Sequence, residues 1–211
     1  MEVPPQGLRI PPKILYFDIE VSLSTYEVYS PYVRDSWLRS DQKIEDWYII
    51  TWAAAWVNDA EFAYVFSERV RDVEAKARDD KRCLMRLWEL MDTADYVVGH
   101  NSDKYDVKKA HYRFVVNGMG LPYKSKQVDT LKMARKYFSA DSNKLDEWAR
   151  LFGGNGKKIM DYEDWSRINR DPVASDLQKM EDYCRQDVRE GAMVFREFLR
   201  LVEGRGDRVL K

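Results

Sequence analysis

The spacing of apolar residues along the chain predicts a mixed order of strands and helices. An apolar run over 13–18 ends on an acid, which is typical of a buried strand. Two further strands are predicted over 48–57 and 61–67, and the Asn-Asp turn at 58–59 would join them as a β-hairpin. A fourth short strand follows over 95–99.

Five other segments have apolar residues at helical spacing, every three or four positions. These segments are 81–91, 104–116, 129–138, 144–152 and 173–203. Ser142 or Asn143 is a suitable N-cap for the fourth of them. The polar stretch 157–170 is interpreted as a connection. The aromatic-rich stretch 21–47 is interpreted as a long connection that is either functional or partly ordered in its own right. Strands mixed with helices in this order predict an α/β fold.

Proline content and chain length define the expected domain organisation. Four of the seven prolines fall within the first twelve residues, so 1–12 is predicted to be an extended lead-in. We expect one domain over 13–204 and a short tail over 205–211. A chain of 211 residues is not expected to hold a polymerase beside another catalytic domain.

Composition narrows the class of protein. Hydrophobic residues make up 45% of the chain and aromatic residues 13%, which excludes a disordered chain. The net charge of −1 excludes a strongly basic protein that coats nucleic acid, but not a nucleic-acid enzyme with an acidic site. Cys83 and Cys184 indicate neither a disulfide framework nor a zinc clip. Because no signal core and no long apolar run occur, we expect a cytoplasmic protein without a membrane partner.

Carboxylates occur at three places where they could share a site. Asp18 and Glu20 lie two positions apart on a predicted strand, so their side chains point to the same side. Asp106 follows the fourth predicted strand, where α/β folds place ligand sites. Tyr183 and Asp187, four positions apart, share one helical face. Each motif alone also fits an ordinary solvated acid or helix start.

Together, the four carboxylates suggest a metal centre. Carboxylate oxygens are hard ligands that suit Mg²⁺ or Mn²⁺, and no cluster of His and Cys indicates zinc. Two such ions can activate a water molecule and stabilise the leaving oxygen of a phosphoryl displacement.

The three motifs together resemble the Exo I, Exo II and Exo III motifs of the DEDD, or DnaQ-like, 3′→5′ exonucleases. They are FDIE at 17–20, GHNSDKYD at 99–106 and YCRQD at 183–187. Tyr183, four residues before Asp187, resembles the DEDDy branch; the DEDDh branch carries His five residues before the last Asp, where this chain has Asp182. The 21–47 connection and VDTLKMARKYF are similar to stand-alone, often phage-encoded relatives of the proofreading domain of family B DNA polymerases.

This resemblance implies a fold, an activity and a setting. The fold would be ribonuclease H-like, with a mixed five-stranded sheet whose first three strands are antiparallel, flanked by helices. The activity would be hydrolysis at 3′ ends of single-stranded DNA, releasing nucleoside 5′-monophosphates with two divalent cations, Mg²⁺ or Mn²⁺. The setting would be the cytoplasm of a bacterium or a phage-infected cell.

The resemblance also assigns roles to the residues of the three motifs. Asp18 would bridge both metal ions. Glu20 and Asp187 would complete the site of the ion that activates water, and Asp106 would hold the second ion. Tyr183 would position the nucleophilic water.

Further residues are expected near the substrate. The predicted substrate contacts are Ile19, His100, Asn101 and Lys144. A hydrogen bond that fixes the turn is the alternative for His100, and simple solvation is the alternative for Lys144. Asp129 is predicted to be a helix N-cap, and support of the site is the alternative. The Tyr and Trp residues of 21–47 could stack bases of a single strand or pin that connection to the core. The window 124–136 could follow a DNA backbone or form a solvated helix face; its basic residues are Lys124, Lys126, Lys132, Arg135 and Lys136.

Three alternatives stay open from the residues alone. The chain could be an exoribonuclease, because the motifs do not separate the two sugars. It could be a nucleic-acid-binding module with a decayed site, although all four carboxylates and Tyr183 are present. It could also be a proofreading subunit that partners a separate DNA polymerase or other replication proteins.

Overall fold

The computed structural model describes most of the chain. The described residues are 11–30, 32, 38–57, 64–123, 125–156 and 160–210. Most of the predicted lead-in, the predicted turn at 58–59, the first residues of the predicted strand 61–67 and Lys124 lie outside these residues.

Five strands form the central sheet. They are five of the seven strands in the described residues, which are β1 Ile14–Val21, β2 Thr25–Tyr26, β3 Lys43–Glu45, β4 Ile49–Trp56, β5 Phe66–Arg69, β6 Tyr96–Gly99 and β7 Lys126–Asp129. Their order in the main sheet is β5-β4-β1-β6-β7, with β1, β4 and β5 antiparallel and β1, β6 and β7 parallel. The first three strands of this sheet in chain order, β1, β4 and β5, are antiparallel, but the expected arrangement is not matched in full, because β2 and β3 come between β1 and β4 in the chain. The short strands β2 and β3 pair separately inside the stretch that was interpreted as a connection.

Seven helices lie within the described residues. They are α1 Asp72–Ala77, α2 Lys81–Thr93, α3 Asp106–Val116, α4 Thr130–Tyr137, α5 Leu145–Leu151, α6 Tyr162–Arg170 and α7 Ala174–Glu203. The five predicted helices are confirmed as α2 to α5 and α7. None of the helices in the described part of the chain has the length and apolar character needed to cross a bilayer.

The interpretation of 157–170 as a connection was wrong, because α6 occupies most of it. This helix starts at Asp161, whose side chain accepts a hydrogen bond of 2.8 Å from the Asp164 N–H. Its apolar side is narrow: Ile168 is buried and Trp165 packs against the core. Such a narrow stripe on a charged helix escapes a periodicity argument.

Two strands also differ from the prediction. β5 begins only at Phe66, where its residues pair with β4. β7 was not predicted: Lys126–Asp129 pairs with β6 in parallel, and only its last residue, Asp129, fell in the helix predicted over 129–138. A four-residue strand of sequence KQVD has too few apolar positions to be recognised by pattern.

Residue alternation on β1 divides the core into two layers. Phe17 and Ile19 belong to the layer formed with α2 and α3, whereas Tyr16 belongs to the layer formed with α4, α5 and α7. Asp18 and Glu20 follow Tyr16 at even spacing, so they share its face. The two acids therefore emerge on the side of the sheet that α7 covers.

Gly191 lets α7 lie close to β1. A Cβ at this position would come within 2.1 Å of the Tyr16 hydroxyl oxygen, so no larger residue fits without a shift. Asp187 lies one turn earlier on the same helix. This close contact therefore determines how far the backbone of Asp187 lies from β1.

Candidate active site

Three carboxylates from two elements meet at the carboxyl end of β1. Oxygens of Asp18, Glu20 and Asp187 all lie within 4.8 Å of one another. Asp187 is buried, and the other two are half-buried. Ala53, the antiparallel partner of Asp18 on β4, adds little bulk beside them. The fold therefore brings these three predicted residues together.

Asp106 lies at the same edge of the sheet but is not a member of this 4.8 Å group. It is the first residue of α3, and only 6% of its surface is exposed. Burial raises the pKa of Asp106 to about 7, and the negative charge of Asp129 adds to the effect. A divalent cation nearby would favour the charged form.

The candidate ligands affect the pKa of two neighbouring tyrosines. Burial raises the pKa of Tyr16 well above its usual value, and the charges of Asp18, Asp106 and Asp187 add to this. Burial likewise raises the pKa of Tyr105, with contributions from Asp106, Glu20 and Asp18. Asp18 and Asp106 thus raise the pKa of both tyrosines, whereas Asp187 acts on Tyr16 and Glu20 acts on Tyr105.

Tyr183 shares the buried face of α7 with Asp187. The neighbouring Cys184 places its Sγ 3.5 Å from the main-chain oxygen of Asp18, so this turn of α7 touches the strand that carries the acids. A hydroxyl and a carboxylate spaced four residues apart are thus both directed to the layer between α7 and β1.

Asn101 lies at the tip of the turn between β6 and α3. Its backbone is left-handed, with φ of 64°, a conformation that Asn tolerates better than most residues. Its N–H donates to Asp129 Oδ1 at 3.0 Å, and the same oxygen accepts from Leu131 N at 2.9 Å. The prediction that Asp129 is an N-cap is confirmed, since it caps α4 and also fixes this turn. Asn101 itself is exposed.

His100 is held by hydrogen bonds at both ring nitrogens. Nδ1 lies 2.9 Å from Thr130 Oγ1, and Nε2 lies 3.0 Å from the main-chain oxygen of Asn143. This arrangement matches the alternative of a turn-fixing histidine. A contact between His100 and substrate stays a prediction.

The remaining two predicted contacts differ in position. The Ile19 side chain is 3% exposed and faces the layer of α2 and α3, so alternation directs it away from the acids. The side chain therefore offers little surface to a substrate, and a contact between Ile19 and the substrate stays a prediction. Lys144 is exposed and is the N-cap residue of α5, a position predicted for Ser142 or Asn143. Ser142 Oγ instead accepts from Lys144 N at 3.3 Å.

Sequence reasoning missed a cleft of about 340 Å³ beside Glu20. Its walls include Trp47, Tyr105, Lys109 and Trp165, which come from three separate parts of the chain, because Tyr105 and Lys109 both lie at the start of α3. Trp47 belongs to the aromatic-rich stretch 21–47, and Trp165 lies in the segment 157–170 that was interpreted as a connection. No spacing within the sequence brings these four together.

Comparison with known proteins adds a family and a fold. A family model described as the RNase_H superfamily matches residues 46–198, a range that includes Asp106, Tyr183 and Asp187 but begins after Asp18 and Glu20. The family B DNA polymerase from the hyperthermophilic archaeon Pyrobaculum calidifontis is similar in structure, with a TM-score of 0.65 and 17% identity. The match covers 93% of this chain and 26% of the polymerase chain, so this chain spans about a quarter of that protein. No curated protein matches the chain.

Proposed function

Because the chain belongs to the RNase_H superfamily, we propose that it is a metal-dependent 3′→5′ exonuclease of the DEDDy type. It would hydrolyse phosphodiester bonds at 3′ ends of single-stranded DNA and release nucleoside 5′-monophosphates. The observation that carries the proposal is the group of three carboxylates within 4.8 Å, with Asp106 at the same edge of the sheet.

The donor set fits divalent cations. Carboxylate oxygens are the ligands that Mg²⁺ and Mn²⁺ prefer, and no described cluster offers the His and Cys ligands of zinc. Asp18, Glu20 and Asp187 would hold one cation, and Asp18 with Asp106 would hold a second. When bound, such cations activate water and stabilise negative charge on a leaving oxygen.

The other residues of the site would orient the reactants. The Tyr183 hydroxyl would hydrogen-bond the attacking water, since it shares the buried face of α7 with Asp187. The exposed Asn101 amide, five residues before Asp106, would contact the substrate strand. Water would attack phosphorus, the bond to the 3′-oxygen of the preceding nucleotide would break, and that oxygen would take a proton. The products are a nucleoside 5′-monophosphate and a strand shortened by one nucleotide.

Degradation polarity tests this proposal. Single-stranded DNA labelled at its 5′ end is incubated with Mg²⁺, with Mn²⁺ or with EDTA, and a circular single strand serves as the control. We expect a ladder of products shortened from the 3′ end with either metal, no ladder with EDTA, and an intact circle. Cutting of the circle, or shortening from the 5′ end, would overturn the proposal. An RNA strand of the same sequence decides which sugar the site prefers.

A further inference from the structure

Two carboxyl groups face each other beside the turn between β6 and α3. Asp103 lies in this turn, and Asp129 is the N-cap of α4 and only 6% exposed. Their carboxyl groups lie within hydrogen-bonding distance of each other. Oδ1 of Asp103 and Oδ2 of Asp129 are both buried, and no donor group of the described residues bonds to either oxygen. Two ionised carboxylates in this position would repel each other without any compensating hydrogen bond.

The other oxygen of each carboxyl group already has its partners. Oδ1 of Asp129 accepts from Asn101 N at 3.0 Å. As the cap of α4 it also accepts from Leu131 N at 2.9 Å and Lys132 N at 3.3 Å. Oδ2 of Asp103 is paired with the Lys132 ammonium. The hydrogen bond between the two groups therefore joins the two buried oxygens, and its donor is a proton on one of them. A hard cation is a poor substitute, because it takes about six oxygen ligands and these two oxygens are buried.

The surroundings indicate which of the two groups carries this proton. The hydrogen bond with Asp129 lowers the pKa of Asp103, and the positive charges of Lys132 and Lys104 add to the effect. Burial raises the pKa of Asp129, and the hydrogen bond with Asp103 adds to this. A further acid nearby is Asp106, whose pKa is raised by burial and by a charge on Asp129. Asp103 is therefore the ionised partner, and Asp129 is the acid.

Resting on the proposed function, we propose that Asp129 is a positioning residue whose protonated carboxyl group joins α4 to the turn before α3. Its Oδ2–H donates to Asp103 Oδ1, while its Oδ1 accepts from the N–H of Asn101. The bridge fixes the turn at two points, one at the proposed substrate contact Asn101 and one three residues before the proposed cation ligand Asp106. A neutral Asp129 also adds no further negative charge beside the candidate metal centre.

A pair of variants separates the proton bridge from simple helix capping. Asp129→Asn keeps the capping oxygen, and its amide N–H can donate to Asp103 as the protonated acid does. Asp129→Ser is the matched control, because Ser caps a helix about as well as Asp or Asn but has no second polar group to reach Asp103. We expect kcat/KM for strand shortening with Mg²⁺ to stay close to the wild-type value in Asp129→Asn. In Asp129→Ser it should fall about 10- to 100-fold, the usual cost of losing an outer partner of a site. Equal activity of the two variants, or a lower activity of Asp129→Asn than of Asp129→Ser, would overturn the proposal.

The protonation state can be measured without any activity. In a chain with labelled aspartates, the carboxyl carbons are followed by carbon NMR in EDTA, and the signal that disappears in Asp129→Asn identifies Asp129. The pH is the lowest at which the exposed Asp182 shows the chemical shift of a carboxylate. We expect Asp129 to show the chemical shift of a carboxylic acid there, and Asp103 that of a carboxylate. A carboxylate shift for Asp129 at this pH would overturn the proposal, even if Asp129→Ser failed to fold.

Failure of this assignment and failure of the proposed function give different results. A protein in which Asp129 is protonated but which degrades no strand with Mg²⁺ or Mn²⁺ would overturn the exonuclease proposal and keep the proton bridge. A protein that shortens strands from the 3′ end while Asp129 is ionised would overturn the proton bridge alone.

Discussion

At the scale of single residues, the fold brings three negatively charged side chains close together in the candidate site. Asp18, Glu20 and Asp187 have oxygens within 4.8 Å of one another, and partial burial reduces the screening of their repulsion by water. A divalent cation bound between these oxygens would offset that repulsion. This is the physical reason for assigning the three side chains to metal binding.

Two variants on α7 separate the role of a ligand from the role of a positioning residue. Replacing an outer partner of a metal site usually costs about 10- to 100-fold, so Tyr183→Phe should lower kcat/KM by that amount. Asp187→Asn removes a ligand and should cost about 100-fold or more. The measurement is the initial rate of strand shortening with Mg²⁺. Asp182→Asn, an exposed acid on the same helix, is the control and should keep wild-type activity. Unchanged activity in Tyr183→Phe would show that its assigned role is wrong.

The sequence could predict the parts of the site that lie within one strand or one helix, but not the parts that come from distant elements. Asp18 and Glu20 could be paired because alternation is a property of one strand. Tyr183 and Asp187 could be paired because helical spacing is a property of one helix. Lys109 and Trp165 could not be placed in one cleft, since only the packing of α6 and α3 beside β1 brings them together.

At the scale of elements, a buried ion pair joins α2 to α3. Arg113 donates two hydrogen bonds of 2.7 Å to Asp80, which also accepts from Ile49 N at 2.8 Å and from Asn117 Nδ2 at 2.7 Å. The Asp80 side chain is fully buried. Since Arg113 also holds the main chain of Trp47, this network supports one wall of the cleft.

Removing the charge of Asp80 should therefore destabilise the fold strongly. Asp80→Asn leaves the Arg113 guanidinium buried without its counter-charge, and breaking such a pair typically costs about 3–5 kcal/mol. The measurement is the free energy of unfolding in urea. Glu89→Gln is the control, because it breaks the exposed pair with Arg86 and should cost at most about 1 kcal/mol. Equal effects of the two variants would contradict this account of the network.

Gly191 sets the contact between α7 and β1, so enlarging it should disturb both stability and activity. In an open helix Gly→Ala stabilises by about 0.5–1 kcal/mol, but here the added Cβ would lie 2.1 Å from the Tyr16 hydroxyl oxygen. We expect Gly191→Ala to destabilise by about 1–3 kcal/mol, the usual cost of overpacking. Thermal unfolding measures this, and Tyr16→Leu in the same chain should recover part of the loss. A stabilised Gly191→Ala would show that α7 does not lie this close to β1.

The elements that sequence analysis missed, among them the six-residue helix α1, are short or have a weak apolar pattern. β7 and the β2–β3 pair are four residues long or shorter, and α6 has a narrow apolar side on a charged helix. Their formation depends on partners distant in sequence, such as β6 for β7. The long helix α7 and the strand β1 could be predicted, since their apolar patterns persist over 30 and 8 residues.

At the scale of the whole molecule, the net charge of −1 conceals an uneven distribution. The candidate ligands lie together at the carboxyl end of β1, and α3 and α4, which begin at that edge, carry several lysines. One of these lysines, Lys132, is paired with Asp103 in the turn before α3. Cations bound at the acids would leave a surface that attracts a phosphate backbone.

Cation binding should stabilise the folded chain as a whole. A ligand at 100 times its Kd adds about 2.7 kcal/mol, which corresponds to about 5–10 °C in Tm for a chain of this size. Thermal unfolding with increasing Mn²⁺ should show this shift in the wild type and in Asp182→Asn. Asp187→Asn should lose most of it. A shift of the same size in Asp187→Asn would place the bound cation elsewhere.

The most direct measurement of the central claim follows a single terminal nucleotide. A single-stranded DNA labelled in its 3′-terminal nucleotide is mixed with excess protein, and release of the label is followed over time with Mg²⁺. We predict release as a nucleoside 5′-monophosphate, no release in EDTA, and release about 100-fold slower or more in Asp18→Asn. Release at the same rate in EDTA, or in Asp18→Asn, would contradict the assignment of this site as a metal-dependent exonuclease centre.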